Sequence, residues 1–184
     1  MQEVADMVRR QEAEIGLIVV PLEHRQLILY SLHKSDLTYK PLITEDIAII
    51  IRKGHPLCDG NGEVVTIDQL KEFPLVMYRD TNYSFGSIWN RLGLEPVTRK
   101  ILVKDRASLH EIIAGTDAYT LASHNVHAYE HTPYYSNICT MRLRDRNVKL
   151  EIGCITSRNR PLSHIASRYL ELLEEAMQTR RPEN

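Results

Sequence analysis

Two short stretches carry the side chains best suited to holding a small polar molecule. In Arg79-Asp80-Thr81-Asn82 a cation, an anion, a hydroxyl and an amide follow the apolar run Leu75-Val76-Met77-Tyr78. In Ser123-His124 a hydroxyl and an imidazole follow Tyr119-Thr120-Leu121-Ala122. Both stretches come directly after β-forming runs. In α/β sheets, polar groups just beyond the carboxyl end of a strand can hydrogen-bond a ligand in the crevice there. A third such loop begins at Pro21, which ends the apolar run 17–20. Each also has a simpler reading. Arg79 to Asn82 would make a solvated strand-to-helix turn, and Ser123 would cap the next helix.

Other groupings carry less. His124, His127 and His131 fall at i, i+3 and i+7, a helical spacing that can hold a metal. Pro133 interrupts it and no carboxylate or cysteine completes it, so no metal is expected. Arg142, Arg144 and Arg146 alternate and would share one face of a strand; a solvated, charge-protected strand edge is a commoner use of such a row than anion binding. Asp59-Gly60-Asn61-Gly62-Glu63 is similar in part to a calcium loop but lacks the full ligand pattern. Cys58, beside that glycine-rich loop, is a candidate redox thiol with no cysteine near it in sequence. Nucleophile elbow, phosphate loop, zinc-protease and dinucleotide motifs are all missing. No enzyme activity and no cofactor is expected.

The totals are those of an ordinary globular protein. The chain has 184 residues, 43% hydrophobic and 26% charged, and a formal net charge of −1. That composition suits one domain or two small lobes with a real core. The charge balance does not steer the chain as a whole toward nucleic acid. Three widely spaced cysteines are no disulfide framework and fit a reducing, cytoplasmic compartment. The opening residues read as a charged amphipathic helix, and no apolar run approaches the ~20 residues of a membrane span.

Strands and helices alternate around these loops. The spacing of Val4, Met7 and Val8 predicts a helix leading into a strand at 17–20. Residues 24–35 suit either a strand or a loop with a short helix. Residues 42–57 contain the purest run, Ile47-Ala48-Ile49-Ile50-Ile51, which predicts a strand buried on both faces. Thr66 predicts a capped helix over 67–72. Strands are predicted at 75–78, 98–103, 119–122, 138–143 and 150–156. Helices are predicted at 85–92, 105–114 with Gly115 closing it, 125–129 and 163–177. In the last of these, Ile165, Tyr169, Leu172, Leu173 and Met177 repeat helically. The alternation predicts an α/β fold with a mostly parallel sheet.

Four segments, in this order, resemble the effector-binding domain of LysR-type transcriptional regulators. They are Glu14-Ile15-Gly16-Leu17-Ile18-Val19, Lys53-Gly54-His55-Pro56-Leu57, Thr66-Ile67-Asp68-Gln69-Leu70 with Phe73-Pro74-Leu75-Val76, and Arg160-Pro161-Leu162-Ser163 before the last helix. The resemblance implies a two-lobed α/β fold of the type 2 periplasmic-binding-protein-like class. Residues 1–43 with 151–184 would form the first lobe and 44–150 the second. Two crossover strands would join them, with hinges at Thr44, Glu45 and Glu151. It implies a small-molecule effector held between the lobes, for which the strand-end residues Arg79, Asp80, Thr81, Asn82, Ser123, His124 and Pro21 are the candidates. It also implies a homodimer or tetramer formed through this domain, DNA contact only through a separate winged helix-turn-helix, and no membrane contact. The family's first strand-helix-strand would precede Met1, which leaves the first lobe incomplete and the strand at 17–20 with an open edge. Where the family favours an apolar pair ending in proline, this chain has Ala122-Ser123-His124, which implies a different ligand chemistry. A stand-alone solute-binding protein of the same fold is the alternative reading, and an enzyme built on the fold is a more distant one.

Overall fold

Ala5 and Val8 lie on one face of α1 (Gln2–Arg9), and both are buried. That face packs over β1 (Ile15–Pro21) at Gly16. A Cβ on Gly16 would come within 2.5 Å of Val4 Cγ1 and 2.9 Å of Ile155 Cγ1, so only glycine permits the approach. A computed structural model of the chain describes residues 1–58, 63–79, 99–123, 136–144 and 148–178. It divides into two units, Met1–Glu45 with Lys149–Asn184, and Asp46–Val148.

In the first unit β1 pairs antiparallel with β8 (Lys149–Ser157), from Ile15 opposite Thr156 to Pro21 opposite Leu150. Burial alternates along β1, and Leu17 stays 41% exposed. The strand therefore buries one face rather than two, as an antiparallel edge strand does. The ambiguous stretch after it is a short 3-10 turn, Leu22–His24, and then α2 (Arg25–Lys34), which buries Ile28 and Leu32 one helical turn apart. These residues join Ala5, Val8, Ile18, Val20, Leu37 and Ile155 in one core. Before α5 (His164–Gln178), Glu14 accepts the backbone N–H of Ser163 at 2.9 Å and its hydroxyl at 2.7 Å. Those two hydrogen bonds hold the Glu14 carboxyl below its usual range. The helical repeat of α5 is largely solvent-facing, with Ile165, Tyr169 and Leu172 exposed and Ala166 buried.

β2 (Leu37–Arg52) is far longer than its apolar run and contributes to both units. Burial is mixed over Leu37–Leu42 and alternates from Ile43 to Asp46. From Ile47 to Ile51 every residue is buried, because that part is flanked by β6 (Thr120–Ser123) and β7 (Ile138–Leu143). The β-branched run is thus the inner strand that its composition predicts.

The second unit continues through β3 (Val64–Val65), which pairs parallel with β7. Next come α3 (Ile67–Leu70), shorter than predicted, and β4 (Leu75–Tyr78) beside β5 (Lys100–Val103), parallel. A reciprocal Thr66–Gln69 capping box starts α3. Asp105 caps α4 (Arg106–Gly115) by accepting from Ser108 N at 2.8 Å, and Gly115 lies inside that helix. The core unites Ile50, Val76, Val103, Leu109, Ile113, Ala118 and Ile138.

The sheets are mixed rather than mostly parallel. β1–β8, β2–β6 and β2–β7 run antiparallel. Strand alternation with helices predicts parallel pairs only where a helix forms the crossover; strands returning from elsewhere in the chain pair either way.

The Gly54-His55-Pro56-Leu57 segment has a structural role. His55 is fully buried. Its Nδ1 accepts the backbone N–H of Leu57 at 3.0 Å, and its Nε2 donates to the carbonyl oxygen of Asp117 at 3.1 Å. Phe73 packs against the ring at 4.5 Å. Burial pushes the imidazole pKa down, so the ring is neutral. Arg52 reaches the Asp117 carboxylate at 2.7 Å and the Gly54 carbonyl at 2.7 Å. Gly54, at φ +67°, has the backbone conformation that this turn requires. The clasp fixes the end of β2 against the residues that lead into β6.

Candidate functional site

In the second unit the parallel strands β4 and β5 end together, and a parallel bridge from Leu75 to Tyr119 sets the start of β6 beside β4. The carboxyl ends of all three strands therefore share one edge of the unit. Arg79 stands at that edge. Its backbone N–H donates to Val103 O at 2.8 Å, and its side chain is exposed. Ser123, half-buried, ends β6 opposite Ile47. Two residues predicted from separate stretches are thus brought to the same edge by the register of the strands. Asp80, Thr81, Asn82 and His124 lie outside the described residues, as do His127, His131, Arg146, residues 59–62 and the helices predicted at 85–92 and 125–129.

Pro21 is buried and sits opposite Leu150 at the carboxyl end of β1. Its neighbour in the ladder is more informative. Val20 faces Glu151, a carboxylate only 7% exposed. Glu151 Oε1 accepts from Arg25 Nε at 2.8 Å and from the Tyr39 hydroxyl at 3.0 Å. Burial, and then the hydrogen bond to Glu151, push the Tyr39 hydroxyl well above its usual pKa, so it remains a donor. The aromatic ring of Tyr39 lies over Gly153, where a Cβ would clash with it. Sequence reasoning named Glu151 only as a hinge residue, placed Arg25 only at the end of the candidate loop from Pro21, and missed Tyr39. The available signal was a single carboxylate within the apolar strand Leu150-Glu151-Ile152, since a buried charge requires a partner. Glu45, also predicted as a hinge, is buried, and Thr44 is exposed.

Arg142, in β7, and Arg144, one residue beyond its end, are both exposed. They do not protect an edge, because β7 is paired with β2 on one side and β3 on the other. Cys58 ends the 3-10 turn Pro56–Cys58, and its sulfur lies 3.7 Å from that of Cys139, which the sequence separation hides. Among the described residues no group of three or more His, Cys, Asp or Glu is placed to hold a metal. No helix among them is long and apolar enough to cross a membrane.

Residues 1–178 match the family model of the LysR substrate binding domain. The chain belongs to this family. Its α/β fold is the type 2 periplasmic-binding-protein-like fold of LysR effector domains. One similar solved structure is a LysR family transcriptional regulator from Pseudomonas aeruginosa, at TM-score 0.69 and 13% identity, covering 97% of this chain and 59% of that one. Another is the CcmR regulatory domain of Synechocystis PCC6803 in complex with 2-PG, at TM-score 0.65 and 16% identity, covering 96% of this chain and 79% of that one. A third is the effector binding domain of QuiR in complex with shikimate, at TM-score 0.67 and 9% identity, covering 97% and 78%. The chain spans about three fifths of the length of the first of these. No curated protein matches its sequence.

Proposed function

We propose that this chain is the ligand-sensing part of a cytoplasmic LysR-type transcriptional regulator, and that it binds a small metabolite rather than catalysing a reaction. The family match over residues 1–178 carries this reading. The effector engages Arg79, Asp80, Thr81, Asn82, Ser123 and His124 in the second unit, and the loop opened by Pro21 in the first. Support for the second-unit group comes from the shared strand-end edge of Arg79 and Ser123. Thr44, Glu45 and Glu151 act as hinge positions where the chain passes between residues 1–43 with 151–184 and residues 44–150. Binding is passed to DNA through a change in lobe or oligomer arrangement, with a homodimer or tetramer as the working state and DNA held by another domain.

A thermal-shift screen of small metabolites tests the reading. A ligand at 100 times its Kd adds about 2.7 kcal/mol, which is a readily measured shift. Arg79→Ala and Ser123→Ala should reduce that shift while leaving the ligand-free melting temperature unchanged. Failure of every compound to raise the melting temperature would count against a metabolite sensor. A ligand whose shift survives both substitutions would move the site elsewhere.

A further inference from the structure

Cys58 and Cys139 are 81 residues apart in sequence, yet their sulfurs lie 3.7 Å from each other. Both belong to the second unit, both are half-buried, and neither is in a disulfide. Each is held by well-anchored backbone. Cys139 sits in β7 opposite Ile51 of β2, and the adjacent Lys53 N–H donates to Asn137 O at 2.9 Å. Cys58 N–H donates to His55 O at 2.8 Å, closing the turn that the buried His55 ring fixes. The Cys139 thiol also lies 3.6 Å from the Arg52 carbonyl oxygen. Two thiols in van der Waals contact on a fixed frame need only side-chain rotation to reach the about 2.05 Å of a disulfide bond. The third cysteine, Cys154, is buried in the other unit and has no part in the pair.

We infer that Cys58 and Cys139 form an oxidisable dithiol whose substrate is a hydroperoxide. One thiolate attacks the terminal peroxide oxygen. The O–O bond breaks, an alcohol or water leaves, and that sulfur becomes a sulfenic acid. The second thiol attacks the sulfenic sulfur, the S–S bond forms, and a water molecule carries off the sulfenic oxygen with the remaining proton. Two thiols have then given two electrons to one peroxide. Both residues are only half-buried, which leaves a path for the oxidant, and the contact of their sulfurs favours the disulfide over further oxidation of either one. This modification is separate from the effector site at Arg79 and Ser123, and the two can fail independently.

The test is treatment of the reduced protein with hydrogen peroxide, followed by denaturing thiol counting and peptide mapping without reductant. The free thiols should fall from three to one, the mass should drop by about 2 Da as two hydrogens leave, and a peptide joining Cys58 to Cys139 should appear. Dithiothreitol should reverse all three changes. Cys154→Ser should still form the linkage, whereas Cys58→Ser and Cys139→Ser should not. The inference is overturned if all three thiols survive peroxide. It is equally overturned if oxidation yields only links between chains, or a sulfinic or sulfonic acid with no joined peptide.

Discussion

The imidazole of His55 donates through Nε2 to the main-chain oxygen of Asp117, 62 residues further along the chain, at 3.1 Å. With Leu57 N–H bound to Nδ1 at 3.0 Å, both ring nitrogens are used. Replacement by alanine would leave a buried N–H and a buried carbonyl without partners as well as a cavity against Phe73. His55→Ala should lower the free energy of unfolding by roughly 2–4 kcal/mol, read from the urea midpoint.

The same burial makes stability depend on pH. His55 has a folded-state pKa below its unfolded value because burial opposes its charge, and His110 shares that direction through burial and the nearby Arg106. Their contribution is complete above the unfolded value of about 6.5 and is lost as pH falls below it toward the folded values, because the unfolded chain then binds more protons. Melting temperatures measured from pH 7.5 down to pH 5 should decline. His55→Gln should start lower and decline less steeply, leaving the His110 share.

Glu151 should be intolerant of truncation. Glu151→Ala removes the acceptor of both Arg25 and Tyr39. Breaking a fully buried pair costs about 3–5 kcal/mol. Arg25 is 38% exposed, so water compensates in part and the expected loss is about 2–3 kcal/mol. Glu151→Gln keeps an acceptor and should lose less than half of that, by the same denaturation measurement.

Gly16→Ala should destabilise the first unit. The new Cβ meets the Val4 and Ile155 side chains at 2.5 and 2.9 Å, so α1 must move away from β1. A loss of about 1–3 kcal/mol is expected from such overpacking. Faster hydrogen exchange in residues 2–9 than in residues 106–115 would localise it.

Asp105→Ala removes the side-chain acceptor at the start of α4. The expected loss is about 1 kcal/mol, and Asp105→Ser should restore most of it. A loss unchanged by Asp105→Ser would show that the negative charge of Asp105, rather than its cap, matters.

Local chemistry made much of this fold readable. Thr66 announces its helix because the cap is complete within four residues; Asp105, read from the sequence as the first residue of its helix, is instead the cap. The run Ile47 to Ile51 announces an inner strand because β-branched residues without polar alternation need cover on both faces. Pairing direction was not readable, since the partner of β1 lies at residues 150–156 and no local signal encodes that choice. The candidate site divides the same way. The positions of Arg79 and Ser123 after their strands follow from sequence, but their shared edge depends on the Leu75–Tyr119 bridge. The Glu151 cluster and the Cys58–Cys139 contact join residues 112 or more and 81 positions apart, beyond any motif spacing.

The first unit is assembled from both ends of the chain, and its β1 is paired along its whole length with β8. On a translating ribosome the second unit is complete once Val148 has emerged, whereas β1 must wait for residues 149–157. The second unit can therefore be complete before β1 finds its partner strand. A nascent chain halted after Val148 would have β2 paired with β6 and β7, beside a digestible N-terminal arm.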